Sequence, residues 1–302
     1  MGLDRPDDDD IPVAATGPDE VDADGVGADK IIADEIDAIE DMPVVPSELA
    51  DDTERHEYHR EYRAEVDAVY LAAARERWEA AKPRLTEEWR QYAAEHPASP
   101  DVRPDIDEEI CAQVERGCKE IRETEENIIT PAMARIEAED PERMLVGLEF
   151  RCKGQDRIME KVAAALEEQP NLTSAEALAS VKDAIRYTFQ YTEQHYTEGV
   201  RADIDRLKAS GFELVELRNT WRFEEYKGIN SRWRVPDGGQ LFEVQFHTAI
   251  SFEAKQLTHR AYERIRNPVT QHTELRDLRA FQRKVNAEVP QPSGVMDVPE
   301  HP

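Results

Sequence analysis

Between Leu241 and Thr248 apolar and polar residues alternate, with Phe242, Val244 and Phe246 set against Glu243, Gln245 and His247. A period of two is that of a strand with one face in the core. The other face therefore lines up a carboxylate, an amide and an imidazole, which marks it as the candidate floor of an active site. Elsewhere the period is helical. Tyr58, Tyr62, Val66, Val69, Tyr70 and Ala73 predict a helix over about 53–96, and Trp78, Leu85, Trp89 and Tyr92 carry the pattern past a break near Pro83. Three prolines between Pro97 and Pro104 mark a linker or turn. Asp105 then caps a helix striped by Ile106, Ile110, Val114, Cys118, Ile121 and Ile128.

After Pro141 the pattern turns mixed. Leu145–Phe150 reads as a short strand leading into Arg151-Cys-Lys153. A helix follows, with Asp156 as N-cap and Ile158, Val162 and Leu166 as its stripe, and Thr173 opens another to about Val181. Ala184–Tyr191 is β-branched and aromatic, a strand; 196–209 is an amphipathic helix ended by Gly211. Strands at Phe212–Arg218, Ile229–Val235 and Leu241–Thr248 come next, the last two joined by the hairpin signal Pro236-Asp-Gly-Gly239, before helices at about 250–266 and 272–287. This order predicts an α+β fold, a mixed five-stranded sheet flanked by helices and preceded by a helical N-terminal region. The expected division is an acidic disordered tail at 1–52, a helical region at 53–140, the mixed domain at 141–288 and a Pro-rich disordered tail at 289–302.

Charge sharpens this division. The 302 residues carry a formal charge of −28, yet residues 1–50 hold 16 Asp and Glu against Arg5 and Lys30, a balance of −14. Residues 151–266 hold 18 Lys and Arg and 18 Asp and Glu, so the part patterned like machinery is neutral. A segment as acidic and poor in aromatics as 1–50 cannot bury enough surface to offset its ordering entropy. It is a candidate for masking a cationic cleft or engaging a protein partner. No apolar run approaches the roughly 18 residues that span a bilayer, and the Asp-rich start is unlike a secretory signal, so no membrane association and a cytoplasmic location are expected. Cys111, Cys118 and Cys152 are widely spaced without a CxxC, which predicts free thiols. His56 and His59, three apart on a charged helical surface, read as solvated and not as metal ligands.

Chemistry gathers in the mixed region. Arg151 and Lys153 share a face if the first strand continues to them, and Lys161 lies in the next helix, so three cations are expected to crowd one end of a cleft. Asp183 opens the second strand beside Arg186, and Glu243 lies on the fifth. Two carboxylates facing three cations suit a divalent metal with a triphosphate, since Mg²⁺ takes one or two carboxylates plus substrate phosphates. A salt-bridge network on a sheet edge gives the same residues, and spacing alone does not separate the two.

Four pieces in order carry a resemblance: Arg151-x-Lys153 with Lys161 eight residues on, Asp183-Ala-Ile-Arg186, Tyr226-Lys-Gly-Ile-Asn230, and Glu243-Val-Gln-Phe-His-Thr248. Over about residues 145–266 this resembles the synthetase domain of the RelA/SpoT-like nucleotidyltransferases, in its small single-synthetase or toxin-type form. The resemblance implies a Mg²⁺-dependent pyrophosphokinase that moves the β,γ-pyrophosphate of ATP to the 3′-hydroxyl of a purine nucleotide, as in alarmone synthesis. It implies that Arg151, Lys153 and Lys161 hold ATP and that Asp183 and Glu243 are catalytic and bind the metal. Tyr226, Arg222, Gln245 and His247 then fall to the acceptor, with Tyr226 stacking on its base. The sequence departs from the family pattern in three places. Asp183 stands three and not five residues before Arg186, His247 replaces an Arg, and Asn230 replaces a His. No hydrolase domain is visible before residue 140.

Two further readings stay beside this one. A toxin that pyrophosphorylates the 3′ end of tRNA would need a basic face beyond the cleft, which the charge of −28 and the lack of a Lys/Arg-rich run disfavour. A catalytically inactive nucleotide-sensing module would not need to retain both acids and all three cations.

Overall fold

The computed structural model describes residues 52–98, 107–236 and 239–301. The disordered tail expected before residue 52, the Asp105 cap and the tip of the Pro236–Gly239 hairpin lie outside these residues, as do the side chains of His56 and His59. The chain divides into compact units Met1–His59 and Arg60–Pro302. Of the first, only the opening turns of a helix are described; the second holds the fold.

That second unit is built on a five-stranded sheet of order β1-β2-β5-β4-β3. The strands are β1 (Arg143–Val146), β2 (Arg186–Tyr191), β3 (Glu213–Asn219), β4 (Ile229–Arg234) and β5 (Leu241–Thr248). β2 and β5 run parallel at the centre, with Arg186 beside Glu243 and Gln190 beside His247, and every other pairing is antiparallel. The sheet is therefore mixed, as the order of elements predicts. Phe242, Val244 and Phe246 are fully buried, so the alternation along β5 does set one face into the core.

Eight α-helices are described: α1 (Asp52–Glu95), α2 (Glu108–Thr124), α3 (Thr130–Ala138), α4 (Gln155–Glu168), α5 (Ser174–Ala179), α6 (Tyr196–Ala209), α7 (Ala249–Arg266) and α8 (His272–Asn286). α6 lies against the core face of β2 so closely that a Cβ on Gly199 would sit 2.6 Å from the Tyr191 ring. Tyr196 at its start donates to the Phe246 carbonyl at 2.7 Å. The opposite face, carrying Glu243, Gln245 and His247, is met by α7. Glu253 fixes that helix to α1, accepting from Trp78 Nε1 at 2.9 Å and from Lys82 at 2.5 Å. Buried side chains of α1 to α3 and of the sheet belong to one hydrophobic cluster, so the helical region shares the core of the domain it precedes.

Several expectations are corrected. α1 runs unbroken through Pro83, because Trp78 and Leu85 on either side are both fully buried and packing outweighs the lost hydrogen bond. α2 passes into a π-helical turn at Glu125–Ile129. The extra residue in that turn rotates the stripe, so Ile129 is buried and Ile128 is 45% exposed. The first strand ends at Val146, where Gly147 adopts a left-handed φ of 66°, and Leu148–Phe150 form a 3₁₀ turn. Asp156 is inside α4, whose N-cap is Gly154. Residues 289–302, expected as a disordered tail, pack as far as they are described. Val295 and Val298 are fully buried, Asn219 Nδ2 donates to the Val295 carbonyl at 2.7 Å, and His301 bridges Leu217 of β3. Their prolines shape a strap whose valines bury enough to order it.

Candidate active site

β2 and β5 begin side by side, and their first polar residues make the site. Arg186 opens β2 next to Glu243, and its Nε donates to Glu243 Oε2 at 2.5 Å. Asp183 sits three residues earlier on a segment pinned by main-chain bonds, Lys153 N to Ala184 O at 2.9 Å and Arg186 N to Arg151 O at 2.7 Å. One carboxylate gathers three cations. Asp183 accepts from Lys153 Nζ at 2.6 Å, Lys161 Nζ at 3.0 Å and Arg186 at 3.2 Å. Arg186 thus joins both acids, and the side chains of Asp183 and Glu243 are 7% and 13% exposed.

The electrostatics follow from this packing. Burial would raise Asp183, but Lys153, Lys161 and Arg186 outweigh it and hold the carboxyl well below its usual range. Glu243 behaves alike: burial pushes it up, and Arg186 with the hydrogen bond from Gln245 brings it below the ordinary value despite the neighbouring Asp183. Burial lowers Lys153 in spite of its bond to Asp183. Both acids are therefore ionised at neutral pH, and the cations around Asp183 outnumber it. Among the described residues no group of three or more His, Cys, Asp or Glu side chains could hold a metal ion. Two ionised carboxylates fit Mg²⁺ only as part of a set completed by substrate phosphates, which is the donor set Mg²⁺ prefers.

Further along the polar face of β5 the character changes. Gln245 Nε2 donates to Glu243 Oε1 at 2.9 Å while its Oε1 accepts from Lys255 of α7 at 2.5 Å. His247 is fully buried, with Nδ1 at 2.9 Å from Ser251 Oγ and Nε2 at 2.9 Å from Tyr226 Oη. Tyr226 also donates to Asn230 Oδ1 at 3.2 Å. Burial, with the Lys255 charge adding to it, drives the imidazole well below its ordinary pKa, so it is neutral. A Cβ on Gly228 would stand 2.8 Å from the His247 ring, so the Tyr226 loop closes over His247 only because position 228 is glycine.

The structure brings Lys153, Lys161, Asp183, Gln245 and Glu243 together as expected, with Tyr226 and His247 on the same face of β5. Two expected residues lie elsewhere. Arg151 has helical angles (φ −65°, ψ −28°), which breaks the alternation that would aim it with Lys153, and its Nε donates instead to Glu125 Oε1 at 2.8 Å. Arg222 is drawn to the C-terminal strap, donating to the Met296 carbonyl at 3.1 Å with Glu300 at 3.7 Å. Asp183 also precedes β2 and does not open it. His247 meets protein on both nitrogens, Ser251 at Nδ1 and Tyr226 at Nε2.

Three residues lie outside the expected set, although Arg186 belongs to a motif that carries the resemblance and Lys255, in the helix after β5, is placed by the sequence where it could reach phosphate. Arg186 is the bridge between the acids. Lys255 faces Gln245 from α7. Glu125, 1% exposed on the π-helical turn, takes hydrogen bonds from Arg151, Thr130 and Tyr187, the last at 2.6 Å. A signal for it existed, since Val114, Cys118, Ile121 and Glu125 form one helical stripe and an acid in a buried stripe needs partners.

No family model and no curated protein matches the sequence. Solved structures do resemble it. They are alarmone synthetases and related proteins. Small alarmone synthetase 1 from Bacillus subtilis, bound to its product pppGpp, is 14% identical over 67% of this chain and 92% of that chain, with a TM-score of 0.34. A GTP pyrophosphokinase family protein from Streptococcus pneumoniae is 14% identical over 60% and 87%, with a TM-score of 0.35. A chain of the complex between the type VI effector Tas1 and its immunity protein is 16% identical over 60% and 94%, with a TM-score of 0.38. These are the class of protein that the motif order resembles. At such scores the likeness assigns no residue a role.

Proposed function

We propose that this chain is a nucleotide pyrophosphokinase, transferring the β,γ-pyrophosphate of ATP to the 3′-hydroxyl of a purine nucleotide. The observation that carries this reading is the Lys153–Lys161–Asp183–Arg186–Glu243 cluster, in which two ionised acids meet an excess of cations at the shared start of two parallel strands. Pyrophosphoryl transfer asks for positioning and charge neutralisation and little else of the protein. Lys153 and Lys161 take the donor phosphates. Asp183 and Glu243 would hold Mg²⁺ together with those phosphates, and the ion would supply further neutralisation of their charge.

In the step itself, the 3′-oxygen bonds to the β-phosphorus, the bond from that phosphorus to the α-phosphate oxygen breaks, and AMP leaves. Glu243, kept ionised by Arg186, receives the proton of the hydroxyl. Tyr226, held by His247 and Asn230, presents its ring to the acceptor base.

The direct test incubates the protein with ATP labelled at the γ-phosphate, Mg²⁺, and GDP, GTP, ADP, ATP or tRNA in turn, beside Glu243→Gln. Label moving to a mononucleotide, and falling at least about 100-fold in the variant, supports the reading. Label on RNA alone moves the acceptor to tRNA, and label on nothing leaves a nucleotide-binding module and ends the enzymatic reading.

A further inference from the structure

Lys255 is the cation of this site that has no acid. Its Nζ lies 2.5 Å from Gln245 Oε1. Among the described residues no carboxylate comes within ion-pair distance of it, whereas Asp183 alone holds Lys153, Lys161 and Arg186. An ammonium carries three donor hydrogens, and the amide oxygen accepts one. A half-buried ammonium with open donors and no counter-charge is costly to keep. The fold keeps it all the same. Lys255 Nζ stands 5.3 Å from the centre of the Phe252 ring, and α7 is tied down at Glu253 by Trp78 and Lys82.

Its place on the sheet says what the open donors face. Glu243, Gln245 and His247 follow one another along β5 at two-residue steps, about 6–7 Å apart. Lys255, docked on Gln245, therefore stands between the Asp183–Glu243 cluster and the Tyr226 end. In the proposed reaction Glu243 takes the acceptor hydroxyl and Tyr226 its base, and an anionic group between those two points belongs to the acceptor. Other cations on that side are spoken for. Arg222 reaches the C-terminal strap, Lys227 donates to the carbonyls of Trp221 and Phe223 at 3.1 and 2.6 Å, and His247 is neutral and enclosed.

We propose that Lys255 binds the 5′-phosphate chain of the acceptor nucleotide, forming an anion subsite separate from the Asp183 cluster. The assignment to the acceptor rests on the pyrophosphokinase reading; the anion subsite does not. The surroundings fit a group that waits for an anion. Burial first, then Arg186 on β2, push the Lys255 pKa down to about 7, against the pull of Glu243 on β5. His259, one turn further along α7, is itself lowered by burial and by Lys255. An incoming phosphate supplies the counter-charge the site lacks and restores the proton.

The test measures binding by calorimetry at pH 6.5 with Mg²⁺ and α,β-methylene-ATP filling the donor side. Wild type, Lys255→Met and Lys255→Arg are each titrated with GDP, ADP and the matching nucleosides. The expected result is that one diphosphate binds wild type at least about tenfold more tightly than its nucleoside. Lys255→Met removes most of that ratio, Lys255→Arg keeps it, and the affinity for the ATP analogue stays within about twofold. Should Lys255→Met not fold, Lys255→Gln carries the same expectation. An unchanged ratio in the neutral variant, an equal loss of affinity for the ATP analogue, or no diphosphate bound by wild type overturns the proposal. A diphosphate preference that depends on Lys255 in a protein that transfers no label sinks the pyrophosphokinase reading and leaves the anion subsite standing. Transfer with an unchanged ratio does the reverse.

Discussion

The two ends of the polar face of β5 are built on opposite principles. Around Asp183 every side chain is charged, each charge is answered by another, and Lys153, Lys161 and Arg186 remain 19%, 16% and 34% exposed. Around Tyr226 the groups are neutral. Ser251, His247, Tyr226 and Asn230 are joined in a row by hydrogen bonds, and His247 has no exposed surface. The first end is a charge store that a polyanion can rearrange without moving the backbone. The second is a rigid wall that holds one ring in place. Pyrophosphoryl transfer needs both, because phosphates are recognised by neutralisation and a base by a fixed stacking surface.

Removing Arg186 breaks the charged end most completely. Without it Asp183 keeps Lys153 and Lys161, but Glu243 loses its counter-charge while still buried beside Asp183, which pushes its carboxyl up. Arg186→Met is expected to cost about 3–5 kcal/mol of stability, the usual penalty for stripping one partner from a buried ionic group. Pyrophosphate transfer at pH 7 falls by at least about 100-fold. Chemical denaturation and initial rates measure the two effects. A variant as stable as wild type would show that Arg186 does not hold the acids apart.

A smaller effect is expected where the sequence is hardest to read. Glu125 is pushed up by burial, but hydrogen bonds from Thr130, Tyr187 and Arg151 and the Arg151 charge bring it below its ordinary value. Replacing it with Gln keeps the shape and leaves Arg151 a neutral partner. The expected outcome is a stability lower by about 1–3 kcal/mol, because Thr130, Tyr187 and Arg151 lose a charged acceptor, with the ATP KM and kcat both within about threefold of wild type. Thermal melts and initial rates measure both, and an ATP KM raised about tenfold at unchanged stability would bring Arg151 back to the donor phosphates.

Some of this was legible in the chain and some was not, for identifiable reasons. Alternation found β5 and its face because a period of two survives any tertiary setting. Motif order finds Lys153, Lys161 and Asp183, although only Lys161 lies in an element of the expected type, while Lys153 and Asp183 fall in the irregular segments beside the strands expected to carry them. Arg151 was misplaced because one residue with helical angles undoes a strand-based inference about direction. The stripe that holds Glu125 shows that this acid is buried, but its partner Arg151 is 26 positions away and nothing local to either names the other. Arg222 falls to the acceptor by the loop position that the resemblance gives it, while its partners Met296 and Glu300 lie in a strap whose prolines suggest disorder.

The mildest prediction compares the ends through Lys255, the charge that the neutral end keeps. Its folded pKa of about 7 lies below the ordinary value of 10.5. Between those values the unfolded chain holds a proton that the folded chain has released, so this residue makes stability rise with pH across the window. At and below pH 7 both states are protonated and the full cost of the buried ammonium is present. Lys255→Met removes that cost. Without nucleotide, its melting temperature is therefore expected to exceed that of wild type by a few degrees at pH 6.5, about 1 kcal/mol after allowance for solvent relaxation. The gap closes as the pH approaches 10. Saturating diphosphate reverses the order at pH 6.5, because it binds only wild type tightly and lends it the difference. A gap that stays constant with pH would mean that the ammonium is solvated, and the two ends would then differ in packing but not in how they hold charge.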